Sequence, residues 1–395
     1  MPGGPDVIVI GGGLVGCLVA RALADDGRRV VLFEKGDELG REASTAAAGM
    51  LSPQMEWAED MLPASDAMLD LCLAARERWP AFAARLEGET GRALHYRGDG
   101  TLVVALSDDE AAELAARAEA QVRSGLRAEW LETSAARALE PGLSPAARGA
   151  LHLPDDHQVD PLPLMAAATA ALRARSGVEI VTGRAVTAIE SAGGRVTGVT
   201  TAGATLRGPG DRADAEWVVL AAGAWSAGIA GLPRPLAVRP VKGQMAALRP
   251  ERMPIRHVVG GRGAYCVPRD DGRVVVGATV EDVGFDARVD PETVDALIAA
   301  ASRAVPDLAA APVESRWSGL RPGTADELPI LGSDPDLAGL VHATGHYRNG
   351  ILLAPLTAEL VAAGVRGDPP PIDARSFSPA RPALCGTAAG GGRGT

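Results

Sequence analysis

The first 34 residues constrain the fold more than any other part of the chain. Asp6-Val7-Ile8-Val9-Ile10 is a short β-branched run, apolar on both faces, and reads as a central parallel strand. Gly11-Gly12-Gly13-Leu14-Val15-Gly16 follows at once. Leu14 to Asp26 then keeps helical periodicity through Leu18, Ala22 and Leu23, and Gly27 suits the left-handed position that ends a helix. Arg29-Val30-Val31-Leu32-Phe33-Glu34 is the next strand, completing a βαβ start. Gly11, Gly13 and Gly16 allow a tight turn and close backbone approach, so a pyrophosphate can sit against the helix N-terminus. Glu34 stands 18 residues after Gly16, where a carboxylate accepts ribose hydroxyls and repels a 2′-phosphate. That disfavours NADP; the motif alone does not separate NAD from FAD.

Composition narrows the classes. The 395 residues carry 39 basic and 50 acidic side chains, a net charge of −11, and 47% of them are hydrophobic. That is enough for two domains with substantial cores, and it excludes a disordered chain. Acidic balance and scarce aromatics (4 Phe, 6 Trp, 3 Tyr) argue against nucleic acid as a partner. The longest stretch without a charged residue, Trp217 to Pro233, has 17 residues interrupted by glycines. A membrane span needs roughly 20 apolar residues, and the N-terminal apolar run is a strand rather than a signal peptide. Cys17, Cys72, Cys266 and Cys385 lie far apart with no CxxC pair, which supports neither a disulfide framework nor a zinc ribbon. A cytoplasmic, reduced protein is expected, free of membrane.

Further along, 66–84 and 108–124 read as helices, 178–181, 186–189 and 216–220 as strands, and 265–268 with 273–280 as a hairpin turning at Asp271-Gly272. Asp290-Pro291 offers an N-cap and first-turn proline for a helix to Ala304. A short strand, 340–343, precedes a final helix, 351–365. Nucleotide-binding strand–helix pairs at both ends, with hairpins between, predict an α/β fold in which a largely antiparallel domain is inserted. The expected nucleotide domain is 1–84, 150–230 and 318–366, and the expected substrate domain 85–149 and 231–317. Residues 367–395 form a tail whose Ser376–Arg381 part packs and whose Thr387–Thr395 end is mobile.

Two stretches favour a long cofactor. Gly40 to Pro53 is rich in small residues, among them Ser44, Thr45 and Gly49, as an extended ligand packed along the backbone would require. An ordinary Ala-rich helix start reads the same way. Trp217 to Ser226 repeats the pattern, with a buried strand ending in Ala221, Ala222 and Gly223.

These residues resemble the FAD-dependent amine and amino-acid oxidases, the family of D-amino-acid oxidase, sarcosine oxidase and glycine oxidase. The likeness is closest to the glycine oxidase branch of the thiamine (thiazole) pathway. It rests on STAAAGMLSP (Ser44–Pro53), VRPVKGQ (Val238–Gln244), YCVPR (Tyr265–Arg269), VGAT (Val276–Thr279), GLRPGT (Gly319–Thr324) and GHYRNGILLAP (Gly345–Pro355), spanning nearly the whole chain except the tail. The resemblance implies a Rossmann-like, discontinuous FAD-binding domain and a substrate domain of antiparallel sheet plus helices. It implies that Arg321 pairs with the substrate carboxylate through its planar fork. It also implies that Tyr265 closes over the substrate, with Arg348 and Met50 beside it.

Cofactor contacts carried over are Gly11, Gly13, Gly16, Glu34, Ser44, Thr45, Gly49, Met50, Val186, Ala222, Gly223, His346, Arg348, Asn349, Gly350, Ile351 and Leu352. The helix from Asn349 would aim its N-terminal amides at the pyrimidine end of the flavin. Relatives with covalent flavin use a cysteine near GLRPGT; Gly319 to Glu327 has none, so noncovalent FAD is expected.

The implied reaction is oxidation of a small amino acid or amine to the imine, with oxygen reduced to peroxide, for thiazole synthesis. It needs no protein base once the amine is neutral, so no catalytic side chain is expected. His346 is read as a packing residue. His152 and His157 flank Asp155 and Asp156, and a solvated loop is the expected reading over a metal site. Lys242 is either a charge near the flavin or an exposed lysine. Val280 and Gly263 are small residues near the expected substrate mouth. They leave sarcosine, D-alanine and D-proline open beside glycine, and quinone beside oxygen. A flavin-binding subunit without turnover is the alternative from another class. Family relatives often form homo-oligomers.

Overall fold

Val7–Ile10 is buried along its whole length because parallel strands lie on both sides, Trp217–Leu220 and Val30–Phe33. The computed structural model describes residues 4–55, 65–203 and 211–385. They belong to two compact units, Met1–Ala43 with Ala168–Pro240 and Arg321–Thr395, and Ser44–Ala167 with Val241–Leu320.

The sheet of the first unit continues with Leu340–Thr344 beside Trp217–Leu220 and Val178–Val181 beside Val30–Phe33, all parallel. An antiparallel edge strand, Ile330–Ser333, closes it. Covered strands of this kind carry unbroken apolar runs such as VIVI and VVLF. Helix Leu14–Asp25 packs against the last helix, Gly350–Arg366. Ile8, Ile10, Val218 and Leu220 instead share a core with Val186, Ile189, Val196 and Val199. Those four come from a three-stranded antiparallel sheet of Arg184–Ala192, Arg195–Gly203 and Asp211–Asp214. Its hairpin turns on Gly193 and Gly194, both at positive φ (57° and 77°), the geometry of a two-residue turn matched to strand twist.

The second unit is built on an eight-stranded sheet. Its order is Val313–Thr324, Val238–Leu248, Val274–Gly277, Ala264–Pro268, Val258–Gly261, Thr101–Ala105, Gly149–Leu153 and Glu129–Glu132. Val258–Gly261 pairs in parallel with Thr101–Ala105, whereas the pairings from Val238–Leu248 through Val274–Gly277 and Ala264–Pro268 to Val258–Gly261, and from Thr101–Ala105 through Gly149–Leu153 to Glu129–Glu132, are antiparallel. Helix Pro291–Ala304 buries Val294, Leu297 and Ala301 against Val259, Cys266, Val274 and Val276 of this sheet. Asp290 caps that helix by accepting from the Glu292 amide, with Pro291 at its first position. Among the described residues no helix is long and apolar enough to cross a membrane.

The α/β fold with a parallel nucleotide-type sheet and a largely antiparallel second sheet is the one expected. The boundaries differ. Residues 44–55, 65–84, 150–167 and 318–320 group with the antiparallel unit, and 231–240 with the nucleotide unit. The cause lies in specific ties: Met50–Leu51 pairs with His157–Gln158, Arg76 donates to Gln54, and buried Trp79 stacks on Tyr96. The helix read over 66–84 runs from Ser65 to Thr90. The tail packs as far as it is described, with Phe377 buried, while Thr387–Thr395 lies outside the described residues.

Candidate active site

The first unit builds a glycine cradle at the end of Val7–Ile10. Gly11 adopts φ +107°, and a Cβ there would stand 2.4 Å from the Ala221 carbonyl oxygen. At Gly16 a Cβ would stand 1.9 Å from the Gly11 carbonyl oxygen. Only glycine at both lets the strand end, the helix start and Ala221-Ala222 close up. Gly13 is the N-cap of Leu14–Asp25, with no side-chain cap bond and no acidic residue in the first turn. The positive end of that helix is therefore available to a pyrophosphate.

Glu34 is buried, accepting from the Gly12 amide at Oε2 (2.7 Å) and the Gly36 amide at Oε1 (2.8 Å). Each oxygen has a second lone pair, so ribose hydroxyls can still be accepted. Beside the cradle Lys35 stands 3.3 Å from the Trp225 ring centroid. Gly223, at φ +52°, opens the 3₁₀ turn that carries Trp225, and its carbonyl accepts from Thr344 Oγ1. The residues present fit a dinucleotide. Val186 is buried in the core of the same unit.

A second group in this unit surrounds the start of the last helix. Asn349 is its N-cap without a side-chain bond, Gly350 begins it, and Ile351 and Leu352 are buried. His346 is buried and bonds Thr357 Oγ1 through Nε2 (3.0 Å); burial pushes its pKa down to about 4. A neutral imidazole tying loop to helix fits the packing role read from the sequence. Tyr347, at φ +45°, donates its amide to the Pro322 carbonyl and so links this loop to the strand end carrying Arg321. Arg321 is half-buried, and Arg348 is exposed with its guanidinium carbon 5.2 Å from the Tyr347 ring centroid.

In the second unit Tyr265, Met50, Ala278 and Trp317 pack on one buried cluster of Ala48, Met245, Val258, Val267 and Val275. Tyr265 lies so close over Gly277 that a Cβ there would stand 2.4 Å from its ring. Two of the residues read as substrate contacts, Tyr265 and Met50, are thus brought together. Trp317, which no sequence motif singled out, packs beside them and stands on the same strand as Arg321, four residues earlier. Its Nε1 donates to the Ala46 carbonyl (3.1 Å).

The small residues after Ser44 and Thr45 have a second use here. A Cβ at Gly49 would stand 2.0 Å from the Val159 carbonyl oxygen, Gly319 backs onto Ala46, and Arg269 donates to the Ala48 carbonyl. Part of the pattern read as room for a ligand is room for the protein's own chain.

Lys242 is not an exposed lysine. It is buried and paired with Glu281 (3.3 Å), in a network with Thr279 and Gln244. Burial draws the Glu281 carboxyl upward, but hydrogen bonds from Thr279, Gln244 and Lys242 outweigh it and hold it below its ordinary value. The segment around His152 and His157 is not a solvated loop either. His152 lies on Gly149–Leu153, His157 bonds the Tyr96 hydroxyl, and Asp156 is fully buried. Asp156 accepts from the Gln54 and Met55 amides, and desolvation raises its pKa to about 7. Among the described residues no three His, Cys, Asp or Glu side chains form a metal-holding group. Val280 is exposed, and Gly263 has φ +90° at a turn between strands.

The sequence profile of the FAD dependent oxidoreductase family DAO matches residues 6–363. The chain is 37% identical to the glycine oxidase of Geobacillus kaustophilus over 376 residues, covering 94% of this chain and 96% of that one. The crystal structure of glycine oxidase from the same organism superposes with a TM-score of 0.86 at 36% identity, covering 95% of this chain and 98% of that one. The bifunctional protein ThiO/ThiG of Synechocystis is 38% identical over 362 residues, which are 90% of this chain but 51% of that one. The chain thus spans about half the length of the bifunctional relatives it matches.

Proposed function

The chain belongs to the family of FAD-dependent oxidoreductases, and we propose that it oxidises glycine with oxygen, giving the imine and hydrogen peroxide. The carbon–nitrogen single bond of glycine becomes a double bond, and two electrons with two protons leave on oxygen. What supports this reading most is the likeness to glycine oxidase, which runs nearly end to end in both chains and covers both units.

FAD, when bound, supplies a two-electron acceptor. This chain's residues bind, orient and exclude water. In our reading Gly11, Gly13, Gly16, Glu34, Val186, Ala222 and Gly223 hold the adenosine and pyrophosphate. His346, Asn349, Gly350, Ile351 and Leu352 meet the ring end, with the helix amides facing negative charge. Ser44, Thr45, Gly49 and Met50 line the cofactor's length. The Arg321 guanidinium pairs with the substrate carboxylate, Tyr265 covers it, and Arg348 adds positive charge. The amine enters neutral, so no side chain has to take its proton in the oxidation step.

The imine is assigned to thiazole synthesis, since the bifunctional relatives join a ThiO half to a ThiG half. We also assign the protein to the cytoplasm as a homo-oligomer, a reading checked by cell fractionation and by light scattering of the purified chain.

Peroxide release from glycine, sarcosine, D-alanine and D-proline tests the proposal. Glycine is expected to give the highest kcat/KM, and Arg321→Ala is expected to lower it by at least about a hundredfold, the loss of a charge-assisted bidentate pair. A preference for D-proline or D-alanine would replace glycine with a broader D-amino-acid activity. Release unaffected by Arg321→Ala would remove that residue from the substrate.

A further inference from the structure

The strand end carrying Arg321 runs into a turn that other parts of the first unit hold in place. Thr324, buried, donates its hydroxyl to the Leu328 carbonyl (2.8 Å), and Glu327 is held at φ +59°, a strained conformation for a residue with a side chain. Such a conformation persists only where its surroundings over-determine it. The same turn supports the loop bearing Arg348. A Cβ at Gly345 would stand 2.8 Å from the Thr324 methyl, and the Tyr347 amide bonds the Pro322 carbonyl.

One side chain closes on this turn from outside. Arg381, buried, donates from Nε and Nη2 to the two carboxylate oxygens of Asp326 (2.7 and 2.9 Å). It also donates to the carbonyls of Leu328 and Pro329, both at 2.8 Å. Four bonds from one guanidinium fix both the start and the end of the turn, which its planar fork allows and an ammonium does not. Burial would raise the Asp326 carboxyl, yet the bonds and charge of Arg381 hold it below its ordinary value. Arg381 lies on the tail, which is anchored by buried Phe377 and Leu384.

We propose that Arg381 is a positioning residue for carboxylate recognition, locking the Thr324–Pro329 turn and, through it, the strand end of Arg321 and the loop of Arg348. This rests on the reading that Arg321 binds the substrate carboxylate. The tail thereby sets substrate affinity without touching substrate or cofactor.

The test compares Arg381→Ala, Arg381→Lys and Asp326→Asn with the unaltered holoenzyme. Glycolate, which keeps glycine's carboxylate, is titrated by its change in the flavin spectrum, and glycine KM and kcat are measured beside it. Small misplacement of a binding group costs up to about a hundredfold. Arg381→Ala and Asp326→Asn are therefore expected to raise glycolate Kd and glycine KM by about ten- to a hundredfold. Saturated kcat and the flavin-to-protein absorbance ratio should stay near the unaltered values, and Arg381→Lys should fall between.

If Arg381→Ala does not fold, the other two variants decide. Unchanged glycolate binding in the variants would overturn the clamp alone. So would lowered melting temperature and lost flavin with unchanged glycolate affinity in the remaining holoenzyme, which is a merely structural role. No glycolate binding by the unaltered chain would overturn the carboxylate reading of Arg321 and the clamp with it.

Discussion

His346 shows how far a single residue can be read before its surroundings are known. Its place in GHYRNG pointed to the flavin loop, and hydride chemistry made a protein base unnecessary; what no pattern could supply was the depth of its burial. Desolvation pushes its pKa from 6.5 to about 4, so the folded chain refuses a proton that the unfolded chain accepts over that interval. Stability from this group is therefore complete above about pH 6.5 and is lost as pH falls toward 4, by up to about 3 kcal/mol. Melting temperature followed from pH 7 to pH 4 should fall more steeply for the unaltered chain than for His346→Gln. Parallel curves would mean that the imidazole already carries a proton in the folded state. Lys242 marks the opposite case. Its charge in VKGQ was plain, but its partner Glu281 is far along the chain, and only folding brings buried lysine and carboxylate together.

At the scale of elements, legibility followed chemistry that is local. The βαβ start was readable because its glycines serve a turn within a few residues, and the helix at Pro291 because its cap adjoins it. The long strands Val238–Leu248 and Val313–Thr324 were not recognised as strands. Their pairing partners are remote, and their glycines and prolines obscure alternation. The small-residue run after Ser44 was noticed for a ligand, while its contacts with Val159 and Gly319 were invisible without the fold.

The glycine turn makes a firm prediction. Gly16→Ala sets a Cβ against the Gly11 carbonyl and should destabilise the holoenzyme by about 1–3 kcal/mol, as overpacking does, and release FAD. Gly88→Ala, where a Cβ meets nothing within 4 Å in a helix, should be neutral or slightly stabilising. Equal flavin content and melting temperature in Gly16→Ala and the unaltered protein would show that the turn can open without loss.

For the whole molecule, two compact units and their sheet types were legible, but the boundaries moved because segments near residue 50 and residue 157 pair with each other rather than with the nucleotide sheet. The chain crosses between units four times, so composition along the sequence does not mark the domains. The tail carried the least signal. Packing of Ser376–Arg381 was expected from the sequence, but not the partner, Asp326, to which Arg381 reaches back.

The central proposal is that the chain is a glycine-oxidising flavoprotein. It is tested most directly by the visible spectrum of the FAD-loaded protein, recorded without oxygen before and after glycine is added. The account predicts that the flavin bands bleach, then return with release of peroxide when air is admitted. Bands that stay oxidised in saturating glycine would contradict it.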